Sequence, residues 1–140
     1  MVGDTLGGMS KSDISRRVKE IETSFDSTNR LSAAEVNFLK QLNQTHGTSY
    51  NKAHRVLGAF YFDLRDYRRQ RDSLEIATKK GPYRSDAKVL LSLAQAYGHF
   101  KQYAKALKTL KRTEAKMRRL SGAEKANVYR TYAEYARLSY

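Results

Sequence analysis

Two stretches of the chain carry one residue pattern at a constant offset of 36. Leu57-Gly58 is followed by Tyr61, Tyr67, Leu74 and Ala77, with Pro82 beyond; Leu93-Ala94 is followed by Tyr97, Tyr103, Leu110 and Thr113. Self-similarity at a period of about 20 to 50 residues marks a unit that cannot bury its apolar face alone and must stack on a copy of itself. The apolar positions within each unit recur at helical spacing. Two helical hairpins in succession, stacked as an α-solenoid, are therefore predicted.

The pattern resembles the tetratricopeptide repeat, in which an aromatic residue precedes Leu-Gly, then Tyr, with Ala-x3-Phe and Pro further along. Ala106-x3-Leu110 fits it well. His54 and Leu90 stand where the family's Trp is usual, Gln70 replaces a small Ala in the first repeat, and Thr113 replaces the later Ala of the second. The resemblance covers about two repeats plus a terminal helix. It implies an all-α fold, a right-handed α-solenoid of antiparallel hairpins with about seven helices.

Composition agrees with the helical reading. The 140 residues suffice for one domain, and one Pro, no Trp and abundant Ala, Leu, Lys and Arg suit helices better than a turn-rich β fold. With no Cys there is no disulfide, thiolate metal site or Cys nucleophile, and compartment stays open. No apolar run approaches the roughly 18 residues of a membrane span, and Met1–Ser10 lacks a signal peptide's layout. The chain reads as soluble, with a cytoplasmic location favoured and a periplasmic one open if a signal or anchor precedes Met1.

Three segments are predicted. Residues 1–10, with Gly3, Gly7 and Gly8, bury too little to offset their ordering entropy and form a flexible tail. Residues 11–50 form a hairpin that caps the repeats or is itself a degenerate repeat. Its first helix has Ser12 as N-cap and Ile14, Val18, Ile21 and Phe25 on one stripe; its second opens at the capping box Ser32-Ala-Ala-Glu35 and stops at Gly47. Residues 51–140 hold the repeats. Their helices run from about Asn51 to Leu64, Tyr67 to Lys80, Ser85 or Asp86 to Tyr97, and Tyr103 to Leu120. A last helix, a cap or the cut edge of a longer array, opens at the capping box Ser121-Gly-Ala-Glu124.

Charge is lopsided. Residues 1–50 carry six cations and six carboxylates, whereas residues 51–140 carry 21 and 8, the whole excess of +13. Lys101, Lys105, Lys108, Arg112, Lys116 and Arg119 recur every three or four residues, which puts them on one face of a continuous helix, and Lys111 and Arg118 widen it. Glu114 is the one acid in that row. Like charges at i,i+4 repel by a few tenths of a kcal/mol per pair, a cost that an acidic partner relieves.

The resemblance also implies a concave groove along the first helix of each unit. Carried onto this chain, its ligand-facing positions are Lys52, Arg55, Ala59 and Phe62, then Lys88, Ser92, Gln95 and His99, then Asn127, Arg130 and Glu134. Arg55 supplies a cation of the kind that grips a peptide carboxylate in some members, while Ala59 and Ser92 stand where such a clamp needs Asn. His46, His54 and His99 have no ligand-spaced partners, so no metal site or cofactor is predicted, and no phosphate-binding Gly loop, HExxH or GxSxG occurs. The expected function is a non-catalytic adaptor or assembly factor binding a peptide or acidic protein. Nucleic acid or an anionic membrane on the basic face is the alternative. Self-association through a solenoid end, near Tyr129, Tyr135 and Tyr140, is a third reading.

Overall fold

A computed structural model describes residues 6–139. They fold into seven α-helices and two 3-10 helices with no strand among them. In order these are α1 (Lys11–Thr28), α2 (Ala33–His46), α3 (Asn51–Asp63), α4 (Tyr67–Ala77), a first 3-10 helix (Gly81–Ser85), α5 (Ala87–His99), α6 (Tyr103–Lys111), a second 3-10 helix (Glu114–Arg119) and α7 (Gly122–Leu138). The molecule is all-α.

Ser10, not Ser12, caps α1. Its hydroxyl accepts the Asp13 N–H at 3.1 Å while the Asp13 carboxylate accepts the Ser10 N–H at 3.4 Å, so two orphan donors of the first turn are satisfied together. Just upstream, Leu6 is buried and Met9 packs against the same core, while Gly7, Gly8 and Ser10 are exposed; residues 1–5 of the segment read as a tail lie outside the described residues. The boxes at Ser32 and Ser121 form as their spacing predicts. Gly47, at φ +56°, ends α2.

The 36-residue pattern reappears in the backbone. After α3 and again after α5 the chain stops its helix with a residue in the left-handed region, Arg65 at φ 58° and Lys101 at φ 57°. Asp66 N–H then reaches back to the Tyr61 carbonyl at 2.9 Å, and Gln102 N–H to that of Tyr97 at 3.0 Å. These six-to-one bonds, which satisfy carbonyls the helix end would orphan, reverse the chain so that α4 packs on α3 and α6 on α5. Gly58 sets the α3–α4 approach: a Cβ there would lie 2.5 Å from Leu74 Cδ2.

Two apolar clusters result. Ile14, Val18, Ile21 and Phe25 of α1 and Phe38, Leu39 and Leu42 of α2 meet Ala53, Val56, Leu57 and Tyr61 of α3. Leu74 and Ala77 of α4, Tyr83, Val89, Leu93, Ala94 and Tyr97, then Ala106, Leu110 and Val128 form the other. Helices α1 and α2 each pack against α3. His54, at a core aromatic position, is buried and bonds the Gly47 carbonyl at 2.8 Å; burial lowers its pKa, against the raising effect of that bond.

The predicted helix from Tyr103 to Leu120 is not continuous. Past Lys111 the backbone tightens to three-residue bonds, Arg112 N–H to the Thr109 carbonyl at 3.1 Å and Lys116 N–H to that of Thr113 at 3.0 Å. Thr113 is buried and spends its hydroxyl on the Leu110 carbonyl at 2.7 Å, which competes with helical continuation. The half-buried Arg112 guanidinium turns back onto the chain. It donates to the carbonyls of Thr78 and, at 2.7 Å, Arg84, and so ties α6 to the end of α4 and the first 3-10 helix.

Candidate functional site

Most of the groove positions come together. Arg55, Ala59 and Phe62 of α3 face Lys88 and Ser92 of α5 across a cleft of about 290 Å³ that Gln70 and Leu74 of α4 also line. A second cleft of about 280 Å³ joins Phe62 to Gln95 and His99 of α5 and Glu134 of α7, with Tyr103 and Tyr135 in its walls. Phe62, 48% exposed, belongs to both. The two clefts thus run in succession across α3, α5 and α7.

Close packing shapes each of them. Gln70 is 1% exposed and donates to the Ser92 carbonyl at 3.4 Å, so the residue that replaces a small Ala becomes a strut between α4 and α5. Gly98 lets Tyr135 approach α5, since a Cβ there would lie 2.3 Å from the Tyr135 hydroxyl. His99 stacks on Tyr67 with centroids 3.6 Å apart and planes within 9°. Lys52, Asn127 and Arg130 do not line either cleft. Lys52 lies 4.0 Å from Glu22, and Arg130 donates to Asn127 at 3.4 Å on exposed α7.

Arg55 is not a free cation. Its guanidinium sits 3.0 Å from Glu22 and 3.0 Å from Asp26, both on α1, and lies over the Tyr83 ring at 5.7 Å. The Tyr83 hydroxyl donates to Glu22. Burial pushes Glu22 up, but the hydrogen bonds of Tyr83 and Arg55 and the charges of Arg55 and Lys52 outweigh it and hold the carboxyl below its ordinary range. Burial likewise pushes Arg55 down, and its bonds to Glu22 and Asp26 more than reverse that. Two carboxylates of the chain itself therefore neutralise Arg55. Sequence reasoning missed these partners because Glu22 and Asp26 lie 33 and 29 positions from Arg55.

The basic row divides where α6 ends. Lys101 sits in the turn before α6, and Lys105, Lys108 and Lys111 remain exposed on the helix, with Lys105 5.9 Å from the Tyr97 ring centroid. Arg112 is committed to carbonyls. Lys116 and Arg119, on the second 3-10 helix, turn instead toward Lys88 and line a separate cleft with it.

Compared with known proteins, the chain matches no family model, no curated protein and no solved structure. Its own geometry carries the functional argument.

Among the described residues no group of three or more His, Asp or Glu side chains could hold a metal, and no helix is long and apolar enough to cross a membrane. Of the three tyrosines nominated for self-association, Tyr129 is 65% exposed beside a cleft of about 550 Å³ between α6 and α7. Tyr135 is instead packed against Gly98 and Tyr103, and Tyr140 lies outside the described residues.

Proposed function

We propose that this chain is a non-catalytic binding module of the tetratricopeptide-repeat type, a right-handed α-solenoid acting as an adaptor or assembly factor. It holds an extended segment of a partner protein across α3, α5 and α7. One observation carries the reading: two consecutive clefts, lined from three helices by residues nominated from the repeat, meet at the exposed Phe62 ring. The recurrence of one helix-stop geometry 36 residues apart supports the repeat itself.

Within the groove, apolar and amide contacts supply the affinity, because Arg55 is already neutralised by Glu22 and Asp26. An aromatic ring in a desolvated setting is the usual anchor of such contacts. The net charge of +13 acts at longer range and steers an acidic segment toward the molecule.

Affinity capture with the whole chain tests this. Phe62→Ala combined with Gln95→Ala should release the captured protein at unchanged melting temperature, while Lys105→Glu with Lys108→Glu should slow capture. If the groove variant retains every protein that the parent retains, the groove reading fails.

A further inference from the structure

The two 3-10 helices build a second surface, which adjoins the groove and shares Lys88 with it. Twelve Lys and Arg lie between residues 79 and 119 against two carboxylates, Asp86 and Glu114. Among the described residues none of the twelve is within ion-pair distance of a carboxylate. Three of them converge: Lys88 of α5 and Lys116 and Arg119 of the second 3-10 helix line one cleft of about 300 Å³, with Pro82 of the first 3-10 helix in its wall.

Asp86 and Glu124 share that cleft, and both have backbone duties. Asp86 accepts the N–H of Lys88 at 3.0 Å and of Val89 at 3.3 Å at the start of α5, and Glu124 accepts that of Ser121 at 3.3 Å at the start of α7. Each carboxylate is balanced by the helix N-terminus that it caps. Lys88 also feels the Glu124 charge across the cleft, whereas Lys116 and Arg119 form no ion pair with a carboxylate among the described residues.

We propose that this edge binds the phosphodiester backbone of a polynucleotide, with Lys88, Lys116 and Arg119 contacting phosphates in the cleft. The choice of a polynucleotide over an acidic protein or a membrane rests on what the cleft lacks. Among the described residues the exposed large apolar side chains are Phe62, Leu64, Phe100, Tyr129 and Leu138, and none of them lines it; its apolar wall is Pro82, Ala87 and the half-buried Leu120. Protein interfaces draw most of their affinity from buried aromatic and Arg anchors, and membrane surfaces favour apolar insertion beside the cations. Phosphate binding needs only cations that release counterions. A contact made to phosphates alone carries no sequence information.

Net charge alone makes a polycation bind nucleic acid, so the test must separate place from charge. Anisotropy of a labelled oligouridylate is followed against salt for three proteins. These are the parent chain, the edge triple Lys88→Gln, Lys116→Gln and Arg119→Gln, and a control triple Lys11→Gln, Lys19→Gln and Lys40→Gln that removes the same charge from α1 and α2. Loss of three single-strand phosphate contacts should make the slope of log K against log salt shallower by about 2. The edge triple should show that change and bind at least about tenfold more weakly, and the control should keep the parent slope. Arg119→Gln alone should shift the slope by about 0.7, which keeps the test alive if the triple folds poorly. Equal losses in the two triples would overturn the proposal. So would edge-dependent binding of polyglutamate or phosphatidylserine vesicles by a chain that ignores the oligouridylate.

Discussion

Glu22 shows how far one side chain can redirect a site. It sits on the helix that sequence reasoning treated as a cap, yet its carboxylate receives the Arg55 guanidinium at 3.0 Å and the Tyr83 hydroxyl, and so joins α1, α3 and the first 3-10 helix. Its pKa is lowered from 4.5 on folding. A carboxylate lowered in this way adds stability above its unfolded value and loses it as pH falls through the folded one. Glu22→Gln should therefore cost about 2 kcal/mol at neutral pH, the scale of hydrogen bonds to a charged group. The gap between parent and variant in chemical unfolding should stay constant down to about pH 5 and close below the ordinary carboxyl value. A gap that persists at acid pH would mean that shape, not charge, links these three elements.

At the scale of elements, two contacts decide how the helices sit. A methyl at Gly58 would lie 2.5 Å from Leu74 Cδ2 and 2.8 Å from Cγ, and Leu74 is 2% exposed with little room to retreat. Gly58→Ala gains about 1 kcal/mol of helix propensity but overpacks the α3–α4 seam by about 1 to 3 kcal/mol. Net destabilisation in denaturant titration is expected, and a more stable variant would show that the seam is looser than its geometry. The second contact is Arg112, whose guanidinium bonds to the carbonyls of Thr78 and Arg84. Arg112→Ala should raise hydrogen exchange at the amide of Asp86, which bonds the Tyr83 carbonyl, and leave the amides of α1 protected. Lys at this position should not restore protection, because one ammonium cannot reproduce a planar fork across two carbonyls.

For the molecule as a whole, charge and packing are segregated. The carboxylates that form ion pairs lie on α1 and α4 and in the turn before α4, while residues 79–119 hold cations without such partners. Self-repulsion of a +13 chain opposes the compact state, and mobile ions screen it over about 8 to 10 Å. The melting temperature should accordingly rise with added sodium chloride, the reverse of what a fold held by surface ion pairs would do. A fall would place more weight on the Glu22–Arg55–Asp26 cluster than its size suggests. Phe62 and Gln95 carry no charge, so their substitution should alter partner capture without changing the salt dependence of melting.

Local rules were enough for much of the architecture. The apolar stripe of α1, the capping boxes at Ser32 and Ser121 and the stop at Gly47 are near-neighbour effects, and each is readable because its partners lie within a few positions. Arg55, Phe62, Lys88 and Ser92, named from the sequence, line one cleft. Tertiary structure alone decided which of those side chains remain available. Arg55 is claimed by carboxylates 29 and 33 positions away and Arg112 by a carbonyl 34 positions away. The break after Lys111 then moves Lys116 and Arg119 from the α6 row to the Lys88 cleft. Helical periodicity assigns a side chain to a face, but whether it meets water, a carboxylate or a carbonyl there depends on a surface folded from elsewhere in the chain.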